Sequence, residues 1–277
     1  MKSLFDIPAP AKLNLFLHII GRRADGYHLL ESVFMLIDWC DTLHFELRPD
    51  GAISREDLTT ALPADDLIVR AARALQHLSG TPQGAHISIA KSIPEQAGLG
   101  GGSSDAASTL LALNRLWGLK LSLAQLQQIG LRLGADVPFF LSGNNAWVSG
   151  IGEHMTAVTL DAARFLVVKP ADGLQTQRIF SHPDLKRDSK LATISDFAAD
   201  AFGFGHNDLQ PVAQSLCPAV TQALSWCHSQ GLNARMTGSG SAVFARIAED
   251  FEAGSSTAFQ SRPCRNLAAH PLRGWAV

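Results

Sequence analysis

Apolar and polar residues alternate near the beginning of the chain. Every second residue over 13–19 is leucine or isoleucine, and this period of two predicts a half-buried strand. Lys12 and Asn14 should share one face of that strand, because alternate residues project to the same side. A polar turn over 21–26 follows, and a second apolar stretch covers 29–37.

The next elements alternate between helix and strand. Four apolar residues at helical spacing predict a helix over 66–78, and the alternation over 85–90 predicts a strand. A glycine-rich segment, 98–102, comes next. Apolar residues at helical spacing over 106–117 then predict a helix that starts near Ser103. The expected order is strand, glycine loop, helix.

A further helix has recognisable start and stop signals. Ser122 can cap a helix over 123–133. Gly134 suits the C-terminal end of that helix, and Pro138 should prevent it from continuing. Asp136 is expected in the break between them.

The second half of the chain is less regular. Residues 165–168 predict a strand, and 171–201 are polar without a clear period, as expected of a crossing or substrate-side segment. A helix is predicted over 212–229. A second glycine loop, 238–241, should lie beside a strand.

The length of the chain predicts two packed units. Its 277 residues exceed the usual domain size of ~100 to 150 residues. We expect one unit over 1–160 and a second over 161–277. Hydrophobic residues make up 46% and charged residues 17%, which is typical of a compact globular protein with a sizeable core.

Charge, hydropathy and cysteine spacing narrow the possible partners. The net charge of −2 provides no positive field for a nucleic acid, so any phosphate must be bound locally. The apolar opening stretch has no basic leader and is too short to span a bilayer, so we expect a soluble, cytoplasmic protein without a membrane partner.

The four cysteines, Cys40, Cys217, Cys227 and Cys264, show no C-x-x-C spacing. We therefore expect buried thiols rather than a zinc site or a disulfide framework.

The glycine loop has the composition of a phosphate cradle. Glycines over 98–102 let backbone amides approach a ligand closely, and the following helix adds the positive end of its dipole. Ser103 and Ser104 can donate hydrogen bonds to phosphate or bind Mg²⁺ through oxygen. The alternative is a flexible turn with Ser104 or Asp105 as the helix cap. Walker A and Rossmann loops are disfavoured, because the chain lacks Gly-Lys-Ser or Gly-Lys-Thr and has serine at the third glycine position.

Four segments carry a resemblance to known kinases. PEQAGLGGGSSDAA, at 94–107, resembles the phosphate-binding motif of the galactokinase, homoserine kinase and mevalonate kinase superfamily. PAKLNLFLHIIGRRADGYHLLES at 10–32, GADVPFF at 134–140 and MTGSGSAVF at 236–244 look like the diphosphocytidyl-methylerythritol kinases, in the same order. The resemblance covers most of the chain.

This resemblance implies a fold and a reaction. The implied fold is α+β (mixed α/β): a two-domain small-molecule kinase with a ribosomal-protein-S5-like N-terminal domain, a ferredoxin-like C-terminal domain and an active site in the cleft between them. The implied reaction uses ATP and Mg²⁺ to phosphorylate the 2-hydroxyl of 4-diphosphocytidyl-2-C-methyl-D-erythritol, in the non-mevalonate isoprenoid pathway. This small molecule is the expected partner, bound by a monomer or weak homodimer.

The resemblance also implies site residues. Asp136 matches the general base and Lys12 the lysine beside it, where an ammonium keeps a carboxylate ionised and stabilises transferred charge. Taken alone, an aspartate such as Asp136 is more often a helix cap, and a lysine such as Lys12 is more often a solvated strand residue. The implied nucleotide residues are Pro94, Glu95, Gln96, Ala97, Gly98, Leu99, Gly100, Gly101, Gly102, Ser103 and Ser104. Lys91, at the end of the preceding strand, is placed to reach a nucleotide, and a solvated strand-end lysine is the alternative. The metal ligands are not specified.

The substrate-side residues are implied in the same way. Tyr27 matches an aromatic that stacks on the cytosine base and His28 the polar group that reads its edge. A turn aromatic covering a core edge is the alternative for Tyr27. Asn14, Thr176 and Phe180 match further substrate positions. Another kinase of the superfamily, an inactive nucleotide-binding module and an RNA-binding domain remain as rivals, the last opposed by charge.

Overall fold

The first sheet forms the larger part of the molecule. The structure is a computed structural model that describes residues 2–254 and 256–276. Six strands form this sheet: β1 (Ser3–Arg22), β2 (His28–Arg48), β3 (Ile53–Asp57), β4 (Gly84–Ala90), β5 (Ala146–Gly150) and β6 (His154–Ala157). β2 pairs with β1 on one side and with β4 and β5 on the other, all antiparallel, whereas β3 and β4 are parallel.

The second sheet is smaller and entirely antiparallel. It contains β7 (Arg164–Pro170), β8 (Ala234–Met236), β9 (Val243–Ile247) and β10 (Phe259–Arg265), in the order β10-β7-β9-β8. The predicted boundary near residue 160 falls between the two sheets and stays a prediction. Residues after Arg265 return to the first sheet, where Leu272 is buried in its core.

Eight helices lie within the described ranges. They are α1 (Leu67–Ser79), α2 (Gly101–Leu116), α3 (Leu123–Leu133), α4 (Val137–Ser142), α5 (Thr176–Phe180), α6 (Ile194–Ala199), α7 (Gln210–Leu216) and α8 (Pro218–Ser229). The first four share one apolar core with the first sheet, and α7 and α8 share another with β7 and β9. The mixed α+β fold expected from the sequence is confirmed. None of these helices has both the length and the apolarity needed to cross a membrane.

Most local predictions are confirmed at the level of elements. The side chain of Asp66 accepts a hydrogen bond from the Val69 amide at 3.1 Å and starts α1. Ser122 and Gln125 form a reciprocal capping box at the start of α3. Residues 171–201 are irregular apart from the short helices α5 and α6.

Two helix boundaries differ from expectation. α2 begins at Gly101 rather than near Ser103, since Gly100 adopts the left-handed conformation and serves as its cap. The single helix predicted over 212–229 is wrong, because the chain forms two helices there. Cys217 is extended, with φ −141° and ψ 93°, since Pro218 disfavours the helical conformation in the residue before it.

A third apolar cluster joins the two sheets. Leu13 and Phe16 of β1 lie in it with Trp39 of β2, opposite Phe165 of β7 and Phe244 of β9. β1 therefore reaches from the first core to the second sheet. Its residues Lys12, Asn14 and Arg22 line the cavity between the two sheets.

Candidate active site

A cavity of about 1130 Å³ lies between the two glycine loops, the start of α4 and the segment around α5. It brings together residues that are far apart in sequence. All the residues predicted for nucleotide, substrate and catalysis line it, except Ser104. Ser104 is fully buried within α2, and its hydroxyl has no hydrogen-bond partner in the part of the chain that the structure describes.

The first glycine loop leads directly into α2 without a side-chain cap. Gly98 and Gly100 have φ of +74° and +73°, a conformation that side chains disfavour. The alternative cap residues Ser104 and Asp105 are wrong, because both lie inside the helix. The first amides of α2 are therefore available to an anion at the positive end of the helix dipole.

Close packing holds this loop against Lys12. A Cβ atom on Gly100 would lie 2.9 Å from Phe140 Cζ and 3.2 Å from Lys12 Cγ. The Lys12 amide donates to the Leu99 carbonyl at 2.9 Å. That amide is free because the β1–β2 register shifts between Pro10 and Lys12. The bulge in β1 thus ties this strand to the first glycine loop.

The second glycine loop packs on the first. It connects the antiparallel strands β8 and β9. The amides of Ser241 and Ala242 donate to the carbonyls of Gln96 and Ala97 at 3.1 and 3.2 Å. A Cβ atom on Gly98 would lie 2.3 Å from the Thr237 carbonyl oxygen. Each loop therefore limits the conformation of the other.

Lys12 and Asp136 form an ion pair in the wall of the cavity. Lys12 Nζ lies 3.8 Å from Asp136 Oδ2, and their side chains are 5% and 33% exposed. The solvated strand lysine is thereby excluded. Asp136 precedes α4, but its side chain makes no capping hydrogen bond to that helix. Its carboxylate therefore faces Lys12 and the cavity. Burial lowers the pKa of Lys12, and the Asp136 carboxylate partly offsets this effect.

Asn14 is oriented by two neighbours. Its side-chain Nδ2 donates to the Ser32 hydroxyl at 2.8 Å, and its backbone amide donates to the Thr237 hydroxyl at the same distance. The side-chain oxygen therefore points to Lys12, whose ammonium donates to it. Asn14 thus holds Lys12 in place and connects it to the second glycine loop.

Lys91 lies in a buried charge cluster below the loop. Its ammonium contacts Asp41 and lies 2.7 Å from Asp105 Oδ2. Asp41 also accepts the amides of Ser92 and Ile93, the latter at 2.8 Å. Burial raises the pKa of Asp105 to about 8, although Lys91 opposes this shift. Burial lowers the pKa of Lys91, but the two carboxylates outweigh it and the pKa is raised.

The opposite end of the cavity is aromatic. Tyr27 is 61% exposed, so the core-edge alternative for it is wrong. The rings of His28 and Phe180 have centroids 5.2 Å apart, and His28 Nε2 accepts a hydrogen bond from Arg187 Nε at 3.1 Å. Thr176 lies beside this end, with its hydroxyl 2.7 Å from that of Ser239 in the second glycine loop.

Asp41, Asp105, Ser239 and Arg187 were missed by the sequence argument. Asp105 had a signal, since it follows the glycine loop, but it was interpreted as a cap. Asp41 reaches the loop because β2 pairs with β4, with Thr42 opposite Ala90. No motif in the sequence gives that register.

The residues described contain no group of three or more His, Cys, Asp and Glu side chains placed to hold a metal ion. Oxygen donors that line the cavity near the first glycine loop include the Ser103 hydroxyl and the carboxylates of Asp66, Glu95, Asp105 and Asp136. This set suits Mg²⁺ that is held mainly by phosphate, because Mg²⁺ commonly takes few protein ligands beside nucleotide oxygens.

Comparison with known proteins assigns the chain to a family. Residues 66–144 match the GHMP kinases N terminal domain, and 185–255 match the GHMP kinases C terminal domain. A 4-diphosphocytidyl-2-C-methyl-D-erythritol kinase of Albidiferax ferrireducens is 70% identical over 100% of this chain and 97% of its own length. The enzyme of the same name from Variovorax paradoxus is 63% identical over 100% of both chains.

Solved structures agree with that assignment. A crystal structure of 4-(cytidine 5'-diphospho)-2C-methyl-D-erythritol kinase has a TM-score of 0.79 and 30% identity, over 96% of this chain and 99% of that one. A mevalonate kinase with a TM-score of 0.67 and 14% identity, over 96% of this chain and 99% of that one, shares the fold. Because a relative is 70% identical over the whole of this chain, the chain belongs to the 4-diphosphocytidyl-2-C-methyl-D-erythritol kinase family of the GHMP kinases.

Proposed function

We propose that this chain phosphorylates the 2-hydroxyl of 4-diphosphocytidyl-2-C-methyl-D-erythritol with ATP, giving the 2-phosphate and ADP, in the non-mevalonate isoprenoid pathway. Family membership implies ATP as the phosphoryl donor. The observation that carries the proposal is the position of Lys12 and Asp136 between the uncapped glycine loop and an aromatic end of the same cavity.

The nucleotide end is formed by residues 94–103. The amides at the start of α2 suit the phosphates of ATP, and the Ser103 hydroxyl would supply an oxygen ligand to Mg²⁺ bound by those phosphates. Bound Mg²⁺ would neutralise charge on the phosphates. Lys91 is held below the loop by its two carboxylate partners, so it is not a free cation that could bind the nucleotide.

Asp136 accepts the proton of the substrate 2-hydroxyl. The hydroxyl oxygen then bonds to the γ-phosphorus, and the bond from that phosphorus to the β–γ bridging oxygen breaks, releasing ADP. Lys12 stabilises the ionised Asp136 and the charge on the transferred group from a buried position, where the electrostatic effect is stronger than in water. Phosphoryl transfer depends mostly on such positioning.

The diphosphocytidyl group occupies the aromatic end. Tyr27 and Phe180 offer faces on which the base stacks, and His28 reads its edge. Asn14 and Thr176 lie along the path toward the reacting hydroxyl and position the erythritol part. We further propose that the chain works in the cytoplasm as a monomer or weak homodimer without nucleic acid, as its slightly negative charge favours.

Comparing three alcohols tests the proposal. ADP release with Mg-ATP is measured with 4-diphosphocytidyl-2-C-methyl-D-erythritol, mevalonate and homoserine. Turnover with the cytidylyl substrate alone is expected, and ³¹P NMR should show the new ester on the 2-hydroxyl. Turnover with mevalonate or homoserine instead would keep the kinase fold and reject the proposed substrate.

A further inference from the structure

Arg187 contacts one edge of the His28 ring. Its Nε–H donates to His28 Nε2 at 3.1 Å. His28 is the first residue of β2, whereas Arg187 lies in the irregular segment after α5, so the contact joins the two units at the aromatic end of the cavity. The role proposed above for His28 does not by itself require this arginine.

The remaining donors of Arg187 are held by backbone carbonyls. Nη1 donates to Leu185 at 2.9 Å and to Pro183 at 3.3 Å, and Nη2 donates to His182 at 2.8 Å and to Phe180 at 3.4 Å. A guanidinium with this many partners has little freedom to turn away from His28. It is a fixed donor, bound to the same short segment that carries Phe180.

We propose that Arg187 is a positioning residue, which fixes His28 in the neutral tautomer that carries its proton on Nδ1. A guanidinium has donors only and does not lose its proton in proteins. His28 Nε2 must therefore be the unprotonated, accepting nitrogen, and the single proton of the neutral ring lies on Nδ1.

The charges around His28 favour this neutral form. Burial is the largest cause that lowers its pKa, followed by the positive charges of Arg187 and Arg22. A cationic ring would also place an Nε2–H against the Arg187 donor. Both effects disfavour the cationic ring.

The consequence is a hydrogen-bond donor aimed at an acceptor on the substrate. Among residues 2–254 and 256–276, none accepts a hydrogen bond from His28 Nδ1 in this structure. The ring lines the cavity beside Tyr27 and Phe180. The edge of cytosine carries two acceptors, O2 and N3, so a ring fixed as a donor suits it. This inference rests on the proposed function only in naming the base.

Long-range ¹H–¹⁵N NMR of the full chain, labelled in histidine, tests the tautomer directly. The His28 signals are assigned by their loss in His28→Gln. In the wild type at neutral pH we expect a protonated Nδ1 and an unprotonated Nε2. In Arg187→Met the ring should change mainly to the Nε2–H form, which free imidazole side chains prefer. Arg178→Met is the matched control, since Arg178 is an exposed residue of the neighbouring α5, and it should leave the wild-type spectrum unchanged.

Two spectra would overturn the proposal. One is an Nε2–H or cationic His28 in the wild type, a result that does not depend on how Arg187 variants fold. The other is an Nδ1–H tautomer that persists in folded Arg187→Met. Neither result depends on catalysis, so failure here is separate from failure of the proposed substrate.

Kinetics then test the consequence for binding. Arg187→Met should raise KM for 4-diphosphocytidyl-2-C-methyl-D-erythritol by roughly tenfold, the effect of about one hydrogen bond, with kcat and KM for ATP close to wild type. In a His28→Gln background the same change should raise KM much less, because the ring that Arg187 orients is gone. Equal effects in both backgrounds would show that Arg187 only supports the fold, and would contradict the proposal.

Discussion

At the scale of single residues, the buried cluster of Asp41, Lys91 and Asp105 contains two carboxyl groups and one ammonium group. Asp41 is fully buried and satisfied by two backbone amides and one ammonium. Asp105 has one oxygen on Lys91, whereas its other oxygen is buried without a partner in the described part of the chain. The two carboxylates are therefore not equivalent, because only Asp41 is needed as an ionised acceptor on both oxygens.

Changing each carboxylate to its neutral amide tests this difference. Asp41→Asn places an NH₂ group against either the ammonium or the backbone amides, so we expect a loss of about 2 kcal/mol or more in the free energy of unfolding at pH 7. Asp105→Asn still accepts from Lys91 with its oxygen and should cost much less. Urea unfolding of both variants beside the wild type measures this. Equal losses in the two variants would contradict the assignment.

The raised pKa of Asp105 predicts that the free energy of unfolding depends on pH. Asp105 has a pKa near 3.8 when unfolded and about 8 when folded, so the folded state binds the proton more tightly. Its contribution to stability is complete below pH ~4 and is lost as pH rises to about 8. Asp105→Asn removes this titration, and its stability should decline less between pH 5 and pH 8 than that of the wild type. An identical decline would show that Asp105 does not titrate in that range.

Site residues that lie within a recognisable motif could be predicted from the sequence. The residues that contact them in the structure could not. Lys12 and Asp136 were found because each lies in a segment that resembles a kinase family. Arg187 and Asp41 lie in segments without such a motif. They contact the cavity residues His28 and Lys91 only because of strand register and an irregular loop. A single sequence does not encode those contacts as a pattern.

At the scale of elements, the two glycine loops form one unit. Gly98 has no room for a side chain because the Thr237 carbonyl and the Gly240 amide lie against it. Gly118, after α2, has a similar φ of +68° but nothing within 4 Å of the Cβ position. The two residues therefore separate backbone strain from the effect of loop packing.

Gly98→Ala should cost clearly more than Gly118→Ala. Both changes force alanine into the left-handed region, at a cost of about 1 kcal/mol. Only Gly98→Ala also pushes the two loops apart, so it should lower thermal stability further and weaken ATP binding. Calorimetric titration with ATP and thermal unfolding measure both effects. Equal ATP affinity in the two variants would show that contact between the loops does not shape the nucleotide site.

Local sequence signals predicted element type better than element ends. Caps such as Ser122 act within one turn, so they are visible in the sequence. The break at Cys217 also had a local cause, Pro218, but the helix predicted over 212–229 did not take it into account. The start of α2 depends on the conformation of Gly100, which contacts Phe140 from another helix.

At the scale of the whole molecule, the cleft exists because β1 belongs to both units. Its apolar residues pack toward both sheets, and the polar residues Lys12 and Asn14 remain in the cavity. The returning segment after Arg265 packs Leu272 into the first core. The two units are therefore connected by buried contacts as well as by the chain, and this keeps Lys12, Asp136 and both glycine loops at fixed separations.

The central claim is that Asp136 removes the proton from the substrate hydroxyl in this cleft. Single-turnover transfer of the γ-phosphate from ATP to 4-diphosphocytidyl-2-C-methyl-D-erythritol tests it most directly in Asp136→Asn, with Asp161→Asn as an exposed control outside the cavity. We expect the transfer rate to fall by about 10²- to 10⁴-fold in Asp136→Asn, with ATP affinity unchanged, and to stay at the wild-type value in the control. Transfer by Asp136→Asn at the wild-type rate would contradict the account.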